Sequence, residues 1–227
     1  IYTMKSNFNL FLAIIILNVF TLTSCSDSDE PNAIFPIDQS YWPFKTGNEW
    51  NLQGATSEDN MTYEIFHKVS FEGKEYYSFI NQNDEYSYPV AVNEDKGVFK
   101  MYYAPHNQQG VNIGGGSITY INLQKDVNEV WTDNMTLTFT SNHGSGSLAY
   151  TFTGKITEKK EAETINGKTY KDVIKTVVEH KIFNSLTNIT TIVEEETWLS
   201  KGVGPIRTIT RGDDFEDVYS LISYTLK

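Results

Sequence analysis

The sequence predicts a mainly β protein: a single antiparallel, strongly curled sheet forming a half-open barrel. Three observations carry that expectation. Beyond residue 38 no stretch sustains a 3.6-residue apolar period. Segments rich in Val, Ile, Thr, Tyr and Phe alternate with Gly, Asn and Asp pairs that interrupt them. The connections are too short for a crossover helix, so neighbouring strands must run antiparallel. Such a meander has to bend to bury one face, and a half-open barrel is its natural shape.

The elements follow in order. Pro43 fixes the chain direction into the first strand, Gly47 supplies a turn, and Trp50 is expected to plug one end of the sheet with a large buried ring. Residues 62–71 read as a strand, Glu72-Gly73 as its turn and 74–80 as its return. Residues 86–92 and 97–103 form a second pair across 93–96. Residues 110–116 read as a glycine-rich loop and 117–122 as a short strand. In 135–141, Met135, Leu137 and Phe139 alternate with Thr136, Thr138 and Thr140, the pattern of a half-buried strand. Residues 142–146 turn the chain into a long strand, 147–163, with a bend at Gly154. Asn166-Gly167 is the strongest hairpin signal, because a type I′ turn needs positive φ at both central residues. Strands at 168–183, 189–199, 204–210 and 216–226 complete the sheet, with a bulge allowed by Gly202 and Gly204.

Upstream of the sheet lies a different kind of sequence. Met4-Lys5-Ser6-Asn7 reads as the natural start, with one positive charge, and 8–22 is almost wholly apolar. That run is about 15 residues, short of the roughly 20 that a spanning helix needs, and small residues close it. It reads as an export signal over residues 1–24. The signal ends in Leu22-Thr23-Ser24-Cys25, with the one cysteine of the chain. This stretch resembles the lipobox of bacterial lipoproteins. The resemblance implies that the Cys25 thiol takes a diacylglycerol, that residues 1–24 are cut away just before it, and that the new amine is acylated, with palmitate or a similar chain. At about 0.8 kcal/mol per buried methylene, one acyl chain anchors marginally and two or three anchor stably. The competing reading, a buried structural thiol, has no core around residue 25 to pack into. A lone cysteine also makes no internal disulfide, which suits an exported chain.

Ser26-Asp27-Ser28-Asp29-Glu30 resembles the acidic export tag of surface lipoproteins in a group of Gram-negative anaerobes. It implies an outer-membrane protein exposed at the cell surface; the plainer reading is a solvated acidic linker. Pro31 and Pro36 favour extended backbone and lengthen the tether. The expected organisation is therefore a cleaved signal at 1–24, a lipidated cysteine and acidic flexible tether at 25–40, and a single β domain at 41–227.

Charge excludes some partners. The formal charge of −11 becomes −12 once the signal, with Lys5 and no acid, is removed. A net acidic surface with no basic cluster argues against nucleic acid and against anionic headgroups, leaving the covalent lipid as the membrane contact.

Three stretches carry a further resemblance. Tyr41-Trp42-Pro43-Phe44-Lys45-Thr46-Gly47-Asn48-Glu49-Trp50 is similar to the Y-F-P-L-x-x-G-x-x-W opening of uncharacterised secreted and lipid-anchored bacterial β proteins. Asn166-Gly167-Lys168-Thr169-Tyr170-Lys171-Asp172-Val173 is similar to their N-G-K-x-Y-x-D-V hairpin. Trp198-Leu199-Ser200-Lys201-Gly202-Val203-Gly204-Pro205-Ile206 is similar to their A-x-G-V-G-x-V segment, with Ser200 in place of the usual Ala. Some members of that set resemble the lipoprotein-carrier half-barrel of the periplasm, which supports the half-barrel expectation.

No catalytic motif stands out. His67, His106, His143 and His180 are too far apart for a helical zinc pair, so no metal and no cofactor are expected. Glu194-Glu195-Glu196 and Asp213, Asp214, Glu216, Asp217 could supply a carboxylate pair for glycoside hydrolysis. On a strand, however, Glu194 and Glu196 share one face while Glu195 points away, and the plainer reading is a solvated edge or turn. Gly114-Gly115-Gly116-Ser117 has no Lys-Ser/Thr ending of a phosphate loop. Arg211-Gly212-Asp213 spells an adhesion tripeptide and equally an ordinary turn. Tyr77, Tyr88 and Tyr103 with Trp42 and Trp50 are the candidate ligand-binding aromatics, for stacking on a sugar or lining an apolar cavity; the alternative is cross-strand packing. The expectation is a lipid-anchored, non-catalytic binding or accessory protein for a glycan, lipid or protein partner. A secreted hydrolase using an Asp/Glu pair and a purely structural envelope component are the alternatives.

Overall fold

A computed structural model describes residues 40–55, 60–79, 90–142 and 144–227, and these form fifteen strands with no helix among them. In chain order they are β1 (Glu49–Gln53), β2 (Asn60–Glu64), β3 (His67–Phe71), β4 (Lys74–Ser78), β5 (Val90–Asp95), β6 (Val98–Tyr103), β7 (His106–Gln108) and β8 (Val111–Ile113). Then come β9 (Gly116–Asn122), β10 (Val130–Ser141), β11 (Gly144–Ile165), β12 (Lys168–Asn184), β13 (Ile189–Ser200), β14 (Gly204–Arg211) and β15 (Glu216–Thr225). Mainly β and antiparallel is the class observed.

The sheet is not single. Ten strands form one sheet in the order β2-β1-β15-β14-β13-β12-β11-β10-β8-β7, and five form a second in the order β3-β4-β5-β6-β9. The division falls inside the expected 62–71 strand. Ile65 is fully buried, its N–H donates to the Asn48 carbonyl at 2.9 Å, and its own carbonyl accepts from Gly47 N–H at 2.7 Å. One residue later, Phe66 N–H donates to the Ser78 carbonyl at 3.0 Å. The chain leaves the large sheet at Glu64 and enters the small one at His67, and the side chain between them is given to the core. Hydrophobic alternation cannot reveal such a change of partner, because both halves read as strand.

The turns obey local chemistry more closely than expected. Two-residue loops with positive φ at both positions occur at Glu72-Gly73, Lys96-Gly97, Gln109-Gly110 and Asn166-Gly167, the type I′ arrangement that matches strand twist. Asp95 pairs with Val98, so the 93–96 loop shortens to Lys96-Gly97. The expected loop at 110–116 instead contributes β8, paired with β7. Ser141 pairs with Gly144, so β11 starts inside the expected 142–146 turn. β10 begins at Val130, earlier than its alternation suggested, because the buried Trp131 indole lies across Gly154 of β11, filling the space a side chain there would need.

Between the sheets sit Phe99, Ile118 and Ile121 from the small sheet, and Leu137, Phe152, Ile156, Leu199, Ile206 and Leu221 from the large one, all essentially inaccessible to water. Side chains of that size contribute about 1.5–3 kcal/mol each when buried. β9 links the sheets directly, with Thr119 N–H donating to the Asp133 carboxylate at 2.8 Å.

The three stretches singled out by resemblance meet in one corner. Trp50 is fully buried and its indole N–H donates to the Val203 carbonyl at 2.6 Å. Gly202 N–H donates to the Ser40 carbonyl at 2.8 Å, and the Ser200 hydroxyl to the Lys171 carbonyl at 2.8 Å. Lys201 N–H reaches the Asp172 carbonyl, where Asp172 takes φ 49. Asn166 donates to the Leu221 carbonyl at 3.1 Å and Lys168 stands 4.4 Å from the Tyr224 ring centre, so the start of β12 meets β15 as well.

A Cβ on Gly204, at φ +112, would lie 2.5 Å from Trp50 Nε1, whereas one on Gly73, at φ +74, would touch nothing within 4 Å. Gly204→Ala is therefore expected to lower unfolding free energy by about 3 kcal/mol or more, and Gly73→Ala by about 1 kcal/mol, the cost of the backbone conformation alone. Urea titrations of both variants check this; equal losses would mean that the Trp50 contact contributes nothing.

Candidate functional site

The candidate aromatics mostly serve the core. Trp42 is buried and has Phe44 at 5.4 Å, Phe79 at 5.7 Å, Tyr63 at 5.9 Å and Trp50 at 6.2 Å between ring centres. Trp42 and Trp50 thus present no face to a ligand. Tyr77 is half-buried and stacks on Phe44 at 5.6 Å, with the Lys68 ammonium 5.2 Å from its ring. Half-buried Tyr103 lies 5.8 Å from Tyr150 across the two sheets. On the small sheet Tyr76 and Tyr102 are buried, Tyr102 stacked on Phe71 at 4.0 Å. Cross-strand packing accounts for these rings. Tyr88 and Cys25 lie outside the described residues.

The acidic stretches divide by strand parity. Glu194 and Glu196 point outward and accept from Arg211 at 3.1 and 3.4 Å, and Glu216 accepts from the same guanidinium at 2.7 Å. Arg211 is thereby engaged three times, and the Phe215 ring lies across Gly212, so Arg211-Gly212-Asp213 behaves as a structural turn. Beside Glu196, whose carboxylate accepts from the Trp198 indole, lies an outer-face network. Lys175 stands 3.6 Å, Arg207 5.1 Å and Lys160 6.0 Å from the Trp198 ring centre, while Glu158 and Glu163 pair with the two lysines. No group of three or more His, Cys, Asp and Glu among the described residues is placed to hold a metal ion.

Glu195 does not fit the solvated-edge reading. It faces the interior, where a β-bulge meets it. In the β6–β9 ladder Phe99 pairs with Ile121 and Lys100 with Thr119, so Tyr120 has no partner of its own. The extra residue turns Tyr120 inward beside Ile118 and Ile121, as bulges commonly re-aim a side chain. Its hydroxyl donates to Glu195, and the Thr197 hydroxyl donates to the same oxygen at 3.2 Å. The other carboxylate oxygen faces His180 Nε2 at 3.7 Å. His180 is buried, stacked on Phe152 at 4.1 Å and edge-on to Tyr120 at 6.2 Å. Nε2 of His180 and the hydroxyl of buried Thr208, which pairs with Thr197 across the ladder, have no hydrogen-bond partner among the described residues.

This is the most chemically loaded spot in the described chain, and its electrostatics are one-sided. Burial, reinforced by the Glu195 charge, raises the Tyr120 phenol well above its ordinary range; Tyr63 is raised by burial, then by Glu195 and Tyr219. Burial lowers His180, with Glu195 opposing in part. Both phenols therefore keep their protons, Tyr120 donates to Glu195, and the imidazole stays neutral near pH 7. The cluster joins the two sheets through a carboxylate. Its sequence signal was present but unread: Val193, Glu195, Thr197 and Leu199 share one face of an alternating strand, as do Thr176, Val178, His180 and Ile182. A charged residue on the apolar side of such a strand marks an interior polar contact.

No family model and no curated protein matches the chain. Among solved structures, a candidate lipoprotein from Parabacteroides distasonis ATCC 8503 is similar at a TM-score of 0.52 and 15% identity, over 83% of this chain and 99% of its own. A candidate exported protein with a YmcC-like fold from Bacteroides fragilis NCTC 9343 is similar at 0.46 and 11% identity, over 82% of this chain and 98% of its own. The first likeness shows a shared fold.

Two outcomes follow from the interior cluster. Tyr120→Phe removes one of the two hydroxyls on Glu195 and should cost about 1.5–3 kcal/mol in urea unfolding, by the loss of a hydrogen bond to a charged group. Unfolded, His180 gains a proton near pH 6.5; folded, it does so only at lower pH. Between those values the unfolded state binds more protons, so stability should fall as pH drops below about 6.5. His180→Phe should flatten that part of the pH–stability curve; an unchanged slope in the variant would assign the acid sensitivity elsewhere.

Proposed function

We propose that this chain is a lipid-anchored envelope protein, held at the outer membrane by acyl chains on Cys25 and exposed at the cell surface. It acts as a non-catalytic binding or accessory module that meets a glycan, lipid or protein partner with its exterior. The observation that carries the reading is the burial of Phe99, Phe152, Ile118, Ile156 and Leu199 from the two facing sheets, which are inaccessible to water. A carrier of acyl chains needs an apolar cavity, and these buried side chains favour a packed interior over a carrier's lumen. A hydrolase needs carboxylates available to substrate; Glu194, Glu196 and Glu216 hold Arg211, and Glu195 holds Tyr120 and Thr197.

The anchor rests on Leu22-Thr23-Ser24-Cys25 and on the acidic residues after it. The neighbour sharing the fold is itself described as a candidate lipoprotein, which supports the same assignment. The half-open barrel belongs to this proposal too. The contacts of Asn166 and Lys168, at one end of β12, with Leu221 and Tyr224 of β15 support a curled sheet, since β13 and β14 lie between those strands.

Growth with a labelled fatty acid should mark the wild-type protein and leave Cys25→Ser unmarked; label persisting in the variant would refute the anchor. Native mass spectrometry of the mature chain with pooled membrane lipids and polysaccharide fragments should show no acyl species retained inside it and no cleaved glycan. Retained lipid would restore the carrier reading, and cleavage would make it an enzyme.

A further inference from the structure

We infer that the tip of the β12–β13 hairpin is a second, reversible membrane contact, docking on the lipid surface that holds the Cys25 acyl chains; this rests on the lipid-anchor reading above. Four large apolar side chains stand in solvent there: Phe183 at 38%, Leu186 at 54%, Ile189 at 47% and Ile192 at 46% exposure. Phe183 pairs with Thr190 and Lys181 with Ile192, which makes Phe183 and Ile192 diagonal neighbours on one face. Single exposed apolar residues are ordinary; here Phe183 and Ile192 share one face, Ile189, paired with Asn184, stands on the other, and Leu186 lies in the turn, so apolar side chains surround the hairpin end.

The tip is held in place by its own hydrogen bonds. The buried Asn184 side-chain oxygen accepts from Leu186 N–H at 2.9 Å and from Thr187 N–H at 3.4 Å. The Ser185 hydroxyl accepts from Ser147 N–H at 2.7 Å, and Ser185 N–H donates to the Ser147 carbonyl at 2.9 Å. Leu186 is thus presented outward by a turn stapled to β11.

Charge and reach select the partner. Residues 181–193 contain Lys181 and no acid, in a chain with 29 acidic residues. Of the other described turns, Glu72-Gly73, Lys96-Gly97 and Asp213-Asp214 carry charge, and Gln109-Gly110 and Asn166-Gly167 expose no large apolar side chain. The tip is therefore the described turn that both exposes greasy side chains and escapes the negative field of the molecule, as an uncharged lipid surface requires. β13 runs from this tip to Ser200, twelve residues, or about 36 Å, toward the end where Gly202 meets Ser40. The chain from Cys25 to Ser40 is sixteen residues long, fifteen steps that can extend to about 50 Å. The tether is longer than the strand, so the far tip can reach the bilayer in which the acyl chains sit. Tethering at that length gives an effective concentration on the order of millimolar, at which a shallow apolar contact counts.

The test uses the lipidated chain in phosphatidylcholine vesicles. With Cys25 consumed by its lipid, Leu186→Cys supplies one free thiol for an environment-sensitive dye, and Glu161→Cys, exposed on β11, supplies the reference. Emission at position 186 should shift to the blue and be quenched several-fold more by brominated acyl chains than at 161, and high salt should not reverse it. One dye per chain with equal spectra at both positions would overturn the docking and leave the anchor intact. Two dyes per chain would show a free Cys25 and overturn the anchor reading itself. A blue shift that rises with protein density on the vesicle, without bromine quenching, would assign the tip to a second copy of the chain and overturn the lipid contact.

Discussion

The indole of Trp50, lying across Gly204 with its N–H on the Val203 carbonyl, is the contact on which the domain's organisation depends. It joins β1 to the β13–β14 turn over 153 residues of chain. It also draws the β11–β12 hairpin into the same corner, through Ser200 on Lys171 and Lys201 on Asp172. A bare glycine is required because the ring occupies the volume of any side chain, and the backbone there takes a conformation L-residues avoid. The contacts of residues 41–50, 166–173 and 200–206 are thus explained by packing within this chain.

The second organising feature is the interior carboxylate. A strand placing Glu194 and Glu196 outward must send Glu195 inward, and the interior has to satisfy it. The bulge at Tyr120 and the neighbouring Thr197 do so. A half-buried carboxylate held by two hydroxyls fixes which surfaces face one another. In this protein it ties β9 of the small sheet to β13 of the large one. The remaining atoms that could take part, His180 Nε2 and the Thr208 hydroxyl, sit beside it without a partner among the described residues.

Much of the strand pattern was legible from turn chemistry and alternation, because Asn166-Gly167 and Glu72-Gly73 act through φ, a property of the residue itself. What stayed hidden has a common cause. The break at Ile65, the early start of β10 at Trp131 and the bulge at Tyr120 are each imposed by a partner far away in sequence. The candidate aromatics show the same dependence on distant partners. Trp42 and Trp50 suggest a binding surface when read singly, yet they lie in one buried cluster with Phe44, Tyr63 and Phe79.

The amino-acid sequence by itself determined the class of structure, the antiparallel order of the later strands and the outward and inward faces of Glu194, Glu195 and Glu196. Those follow from backbone conformations and a two-residue side-chain period, which are local. It also carries, at Cys25 and the acids after it, the expectation of a lipid anchor. Only the tertiary structure decided that there are two sheets, that the motif tryptophans are core, that Glu195 meets Tyr120, and that Phe99, Phe152 and Ile156 are buried from water. Each of these depends on which distant side chains compete for the same volume, a quantity that one-dimensional pattern does not contain.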